Sequence, residues 1–456
     1  MGGADRMRAR TIVHAIPDQA LGNSSYLVAV GDSKALSVDP RRDADGHLQL
    51  AERLGLRLIG VLETHLHADF VGGAREIADA TGATIYASAG ADLAFAHTPL
   101  HAGSRFSLGG AEVEVIATPG HTPEHLSFLV AVDGERALFS GGSLIVGGAA
   151  RTDLTGPERT DELAREQFAS LRALAELPDD TLVYPTHGAG SFCSTGPARS
   201  ASSTIGDERR TNPLLAIEDE DGFVAALRSG FGTYPRYFAH LREVNRRGAG
   251  LLRSLGPVLE IPAEAAEAAA DRGAWLIDGR QVSEWARAHP AGAVSIQVRP
   301  AFASWLGWVV PFGAPVVLVL EPDQVPEAVR LAHRIGYDRI EGWTTFDAWR
   351  GAGLPVASVE MPSPAEAAER MARGALLLDV RQHAEWAERR IPGATHLEVG
   401  DIIAGKEPEA TEVITYCAHG ERSATAASLL EIHGAVVANL RGGIAAWRRA
   451  GLALEP

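Results

Sequence analysis

The segment Tyr416-Cys417-Ala418-His419-Gly420-Glu421-Arg422-Ser423 follows directly on the strand-like run Val413-Ile414-Thr415. A cysteine at the end of a strand, followed by a short loop and a helix, places its sulfur where backbone N–H groups and the helix dipole converge. A thiolate, or a negative charge built on its sulfur, is stabilised there. Arg422 adds a fixed positive charge at the far end of the loop. The chemistry implied is nucleophilic attack by the cysteine sulfur. A second group of residues, near the N-terminus, suggests metal chemistry. Thr64-His65-Leu66-His67-Ala68-Asp69-Phe70 follows the apolar run Leu58–Leu62, Thr118-Pro119-Gly120-His121 opens a second block that runs to His125, and Thr186-His187 opens a third that runs to Cys193. Two histidines one residue apart on an extended turn can face a common ion, and a nearby carboxylate can orient them or hold a second ion.

Both groups need strand ends to position them. Strand-like runs at Tyr26–Val30, Leu58–Leu62, Ala83–Tyr86, Val113–Ile116 and Leu126–Val130 alternate with Gly-rich turns, and helical periodicity covers Ala74–Ala80 and Asp161–Leu177. Residues 10–250 therefore predict one α/β domain. Beyond it the chain repeats itself. Trp275-Leu276-Ile277-Asp278-Gly279-Arg280-Gln281 with Glu284-Trp285 parallels Leu376-Leu377-Leu378-Asp379-Val380-Arg381-Gln382 with Glu385-Trp386, and Trp349-Arg350 parallels Trp447-Arg448. Two small α/β domains with parallel sheets are predicted at 262–356 and 364–456, joined through the proline-containing stretches Gly248–Ile261 and Val356–Ala365. Only the second repeat carries the thiol. After Val316–Leu320 the first continues Glu321-Pro322-Asp323-Gln324, with a glutamate in place of a sulfur nucleophile, so a packing or orienting role is predicted for it.

The bulk properties exclude several classes. At 456 residues the chain exceeds one hydrophobic core. A formal net charge of -16 opposes binding to nucleic acid or an anionic membrane. No run is long enough to span a bilayer, and Met1–Arg6 lacks the apolar stretch of a leader. Two cysteines, Cys193 and Cys417, leave no disulfide framework and predict a reducing, cytoplasmic setting.

The thiol loop, with Leu378-Asp379-Val380-Arg381, Ile391-Pro392-Gly393-Ala394 and Arg441-Gly442-Gly443, resembles the rhodanese family. That resemblance implies a Cys417 persulfide cradled by Ala418, His419, Gly420, Glu421 and Ser423, with Arg422 beside it. The three histidine blocks resemble the metallo-β-lactamase superfamily, which implies an αββα sandwich followed here by two rhodanese-like domains. This order resembles the persulfide dioxygenase–sulfurtransferase fusions of bacterial sulfide metabolism. It implies oxidation of a low-molecular-weight thiol persulfide to sulfite at one non-haem iron, with sulfane sulfur passed among persulfide, sulfite and thiosulfate.

Two positions depart from the family. Phe70 stands where the superfamily has a second-site histidine, and Gly142, in Ser140-Gly141-Gly142-Ser143, stands where a metal-binding aspartate is expected. Two metals are therefore disfavoured, and with them a thioester hydrolase of the glyoxalase II kind. The expected site is a single iron or zinc on His65, His67 and His121, held weakly or not at all, with Asp69 and His187 around it or forming a partial second site. Restoring aspartate at 142 is expected to strengthen it. A sulfur-carrier protein with a non-catalytic first domain, which could mediate homo-oligomerisation, is the alternative. Cys193 is expected to be a buried structural thiol. His125 is expected to contact the thiol carrier or cap a loop, and His97, His101, His240 and His333 lack metal-like spacing.

Overall fold

A computed structural model describes residues 12–195 and 200–456, so Met1–Arg6 and the first two residues of the 10–250 span lie outside the described residues. Two compact units emerge: 12–256 with the short segment 333–336, and 257–332 with 337–456.

The first unit contains two six-stranded sheets. One orders β1 (Val13–Asp18), β2 (Asn23–Val30), β3 (Lys34–Val38), β4 (Arg57–Leu62), β5 (Thr84–Ser88) and β6 (Thr98–Leu100). The next strands are β7 (Arg105–Leu108), β8 (Ala111–Ala117), β9 (Leu126–Val132) and β10 (Glu135–Gly141), the short hairpin β11 (Leu144–Ile145) and β12 (Gly148–Ala149), then β13 (Leu182–Pro185) and β14 (Ser203–Thr204). The second sheet has the order β14-β13-β10-β9-β8-β7. Side-chain alternation explains how the layers stack. In β2, Tyr26, Val28 and Val30 join Val113, Val115, Phe128 and Phe139 of the other sheet in one core. Leu27 and Ala29 point the opposite way, into a core shared with Ala51, Ala74 and Ile77 of the helices Asp45–Leu54 and Ala74–Thr81. On the far side, Leu138 and Val183 pack with Ala164, Leu171 and Phe223 of the helices Thr160–Ala175 and Glu220–Ser229. The result is the αββα sandwich.

The second unit holds β15 (Trp275–Asp278), β16 (His289–Pro290), β17 (Val294–Ser295), β18 (Val316–Val319), β19 (Ile340–Thr344), β20 (Val356–Ala357), β21 (Leu376–Asp379), β22 (Thr395–His396), β23 (Val413–Tyr416) and β24 (Val437–Asn439). Its main sheets, β17-β15-β18-β19 and β22-β21-β23-β24, are both parallel with one shared topology. The duplication extends to side chains. Arg280 grips Asp278 and donates to the Ala288 carbonyl, as Arg381 grips Asp379 and donates to the Arg389 carbonyl.

Residues 356–365, expected to be a linker, are instead woven into both repeats. Pro290 and His289 pair with Val356 and Ala357, the Val359 amide donates to the Ala286 carbonyl, and Glu360 bridges to Ala438. Val359 is buried with Val282, Trp285, Ala424 and Ala427, an apolar cluster drawn from both copies. Apolar burial holds the segment where proline content alone suggested an open connection.

The helix Glu421–Ile432 has Ser423 through Leu430 buried without a break. One reason is that it covers the edge of the other repeat's sheet. Thr425 Oγ1 donates to the Ser295 carbonyl at 2.6 Å, and the Ser295 amide donates to Ser428 Oγ at 3.1 Å. Two hydroxyls three residues apart thereby satisfy the outward backbone groups of edge strand β17.

Candidate metal and thiol sites

Three side chains from three strand ends meet in the first unit. His65 lies beyond β4, His121 beyond β8 and His187 beyond β13, and all are buried. One nitrogen of each lies within 4.8 Å of the others. Their hydrogen bonds fix which nitrogen is free. His121 Nδ1 lies 2.6 Å from the Arg151 carbonyl, which can only accept. His187 Nδ1 lies 3.1 Å from Asn23 Oδ1, while Asn23 Nδ2 donates to Asp69 Oδ2. His65 Nδ1 lies 2.8 Å from Thr64 Oγ1, whose one hydrogen goes to Asp39 Oδ2. Each Nδ1 is therefore the protonated nitrogen, and each Nε2 carries a lone pair. His65 Nε2 and His187 Nε2 stand 3.3 Å apart. Two nitrogens bound at about 2.0–2.1 Å to one tetrahedral ion would stand at nearly this separation. Burial and the surrounding imidazoles push His65 and His121 well below the ordinary histidine range, which keeps these lone pairs available. The donor set fits one divalent first-row ion.

His67 packs against His65, with ring centroids 4.3 Å apart. Its Nε2 faces Glu63 Oε2 at 3.3 Å and Asp39 Oδ1 at 3.6 Å, and its ring stacks on Phe70 with centroids 4.2 Å apart. Burial opposes its charge, but Asp39 and Glu63 outweigh that and hold its pKa up at about 10. An imidazolium has no lone pair for a metal. The geometry adds His187 to the expected His65 and His121, while His67, facing two carboxylates, groups with Asp39 and His65 or with Asp69 and His187. These acid-containing groupings, Asp39–His65–His67 and His67–Asp69–His187, also bring their ligand atoms within 4.8 Å of one another. Asp39 already accepts from the Thr64 amide and from the Thr64 and Thr186 hydroxyls, and Asp69 accepts from Asn23.

The missing carboxylate also has a structural account. The Gly142 amide donates to His125 Nε2 at 2.9 Å, and a Cβ built on Gly142 would lie 2.3 Å from His121 Cδ2. Imidazoles fill the space an aspartate would need. His125 therefore braces this turn, its Nδ1 bonded to Thr118 Oγ1 at 2.9 Å, and does not reach out toward a substrate. Gln167, which no motif signals, accepts from the His121 amide at 2.9 Å and donates to the Ser143 carbonyl, tying the two turns together. Cys193 is completely buried, and burial raises its thiol well above the usual range. It is an inert packing residue in this setting.

The thiol centre forms where β23 meets the helix Glu421–Ile432. Cys417 is 1% exposed; Sγ accepts from the Gly420 amide at 3.1 Å and lies 3.5 Å from the Ser423 hydroxyl. Gly420 turns the loop at φ 118, a left-handed conformation that a side chain rarely adopts. The loop is also held from behind. Ile444 and Ala445 amides at the start of the helix Gly443–Arg449 donate to the Cys417 and Ala418 carbonyls. Gly443, at φ 58, must be glycine because a Cβ would lie 2.3 Å from the Cys417 carbonyl oxygen. Asn439, unmarked in the sequence, donates to the Gly420 carbonyl and accepts from Ser423. Arg422 forms a two-pronged pair with Glu385 at 2.6 and 2.7 Å. His419 is exposed at the loop apex. In the first repeat the corresponding turn is closed by Gln324 Oε1 accepting from the Glu321 amide, with no thiol and no open cradle.

Residues 19–187 match the metallo-beta-lactamase superfamily model, and residues 363–450 match that of the rhodanese-like domain. A hydroxyacylglutathione hydrolase of Methylobacillus flagellatus is 32% identical over 236 residues, which make up 46% of this chain and 89% of that protein. A metallo-beta-lactamase structure from Staphylococcus aureus subsp. aureus COL is similar with a TM-score of 0.65 and 27% identity, covering 73% of this chain and 98% of that one. The structure of ETHE1 from Myxococcus xanthus gives a TM-score of 0.45 and 29% identity, covering 52% of this chain and 98% of that one. Among the described residues, no helix is long and apolar enough to cross a membrane.

Proposed function

Because the chain belongs to the metallo-beta-lactamase superfamily and carries a rhodanese-like domain, we propose that it is an enzyme of sulfur metabolism acting in a reducing, cytoplasmic setting. Its second unit transfers sulfane sulfur through Cys417. The observation that carries this reading is the cradle itself, a strand-end sulfur receiving the Gly420 amide with Arg422 and Ser423 around it. The Cys417 thiolate attacks the outer sulfur of a donor R–S–SH. The donor's S–S bond breaks, a new S–S bond forms on Cys417, and the thiolate RS⁻ leaves. The loop amides and Arg422 stabilise charge on the terminal sulfur until an acceptor such as sulfite takes it. Persulfide, thiosulfate and sulfite are the small-molecule partners of this reading.

In the first unit we assign His65, His121 and His187 as ligands of a single iron, which would bind a sulfur anion and dioxygen together. The net reaction is R–S–SH with O₂ and H₂O giving RSH, sulfite and two protons. This chain's contribution is to fix three Nδ1 protons on Arg151, Asn23 and Thr64 and to bury the cluster. The purified protein is tested by metal analysis together with persulfide-dependent oxygen uptake and sulfur transfer to cyanide. One iron per chain with oxygen uptake supports the reading. Transfer without metal or uptake reduces the protein to a sulfurtransferase.

Likeness to a hydroxyacylglutathione hydrolase along 89% of its length favours a second reading, hydrolysis of a glutathione thioester. Thioester cleavage without oxygen uptake would establish it.

A further inference from the structure

The loop 417–423 contains one permanent cation, Arg422, and one carboxylate, Glu421. Arg422 acts on Cys417 but is shared. Both of its terminal nitrogens are also engaged by Glu385, whose side chain is about one-third exposed and whose charge offsets that of the guanidinium toward an incoming dianion. Arg381, another arginine near the loop, is likewise offset by buried Asp379. The charges of Arg422 and Arg381 are therefore each offset by a carboxylate, and Glu421 adds a further negative charge to the loop. We propose that Glu385 sets donor specificity at Cys417, favouring organic persulfides over the thiosulfate dianion. This inference rests on the sulfurtransferase reading above.

The two donors differ in the charge they bring and release. From thiosulfate, the Cys417 thiolate takes the outer sulfur and the S–S bond breaks to release sulfite, which leaves with two negative charges. From R–S–SH the leaving thiolate carries one. A fixed carboxylate beside the cradle penalises the dianion more strongly, and screening by salt reduces that penalty. Glu385 has a second, structural task that can be separated from the first. Its Oε2 accepts from the Gln382 amide at 3.2 Å in a capping box that begins the helix His383–Glu388. Glutamine serves that position in a capping box as well as glutamate does, so Glu385→Gln removes the charge and keeps the cap.

The test loads Cys417 in the full-length chain with thiosulfate or with a persulfide whose alkyl group carries no charge, generated in situ, and follows sulfane sulfur by cyanolysis. Wild type should prefer the alkyl persulfide. Glu385→Gln should raise kcat/KM for thiosulfate about tenfold, chiefly through KM, and leave the persulfide value within about twofold. Wild type alone gives a second measurement. Raising ionic strength from about 0.05 to about 0.5 M should narrow the gap between donors. Equal gains for both donors in Glu385→Gln, or a gap insensitive to salt, would overturn this inference alone. Loading from neither donor would overturn the sulfurtransferase reading, and this inference with it.

Discussion

His65 Nε2 and His187 Nε2 face each other across 3.3 Å, and the Nδ1 of each ring has its own partner in Thr64 or Asn23. Two buried lone pairs at that distance repel unless a cation stands between them. The arrangement makes sense as the inner face of a metal site and not as a core contact.

Alanine at His65, His121 or His187 should therefore empty the site, whereas His67→Ala should retain metal. Asn23→Ala, which frees the His187 ring, should weaken binding about tenfold to a hundredfold. Metal content and chelator competition read all five variants. Equal loss from His67→Ala and His187→Ala would return the ligand set to 65, 67 and 121.

Gly142→Asp should not rescue affinity. The new Cβ would meet the His121 ring, so the variant should lose roughly 1–3 kcal/mol of stability and hold less metal than wild type. Denaturant unfolding and metal analysis of one preparation measure both quantities. A gain in metal at unchanged stability would show that His121 yields.

Cys417→Ser should abolish sulfur transfer, because a hydroxyl cannot carry sulfane sulfur. Glu321→Gln in the other repeat and Cys193→Ala should leave transfer nearly intact. Cyanolysis of loaded protein distinguishes them, and substantial sulfane sulfur on the Cys417 variant would shift attention to Cys193.

Thr425→Val leaves the Ser295 carbonyl without its partner on edge strand β17. The expected loss is about 1–3 kcal/mol, read as a lower unfolding midpoint of the second unit. An unchanged midpoint would mean that the hydroxyl is dispensable.

Acid should weaken the first unit through His47, on the helix Asp45–Leu54. Burial, and then the Arg41 guanidinium, push this imidazole down to about 3. Its folded pKa lies below the ordinary 6.5, so the stabilisation is full above pH 6.5 and is lost as pH falls toward 3. At pH 4 the loss from this one group is about 3 kcal/mol. Urea midpoints across that range should fall less steeply in His47→Gln than in wild type.

The layers of the fold were legible because period-2 runs such as Tyr26–Val30 bury both faces, and the duplicated Asp-x-Arg and Trp spacings announced the repeats. Cys417 was legible for the same reason: loop, helix and thiol are contiguous. The metal trio was not. Spacing made His65 and His67 look alike, and only long-range partners separate them. Asp39 draws one away from a distance of 28 residues in sequence, while Asn23 aligns His187 across 164. Neither Asn23 nor Gln167 lies in a motif, since each acts through a contact that the chain makes only once folded. Residues 356–365 misled for a related reason, because their backbone partners belong to other segments.

The crowding around Gly142 has an evolutionary consequence. A Cβ at 142 would meet the His121 ring and the Gly142 amide is bonded to His125, so a carboxylate at 142 needs a second change to make room. A lineage with this arrangement would have to shrink or move His125 or His121 first, passing through an intermediate that loses a brace or a ligand before gaining one. The change is ratcheted by sterics. Adaptation of this centre is therefore channelled toward tuning the imidazoles through Asn23, Thr64 and Arg151 and away from a carboxylate at 142.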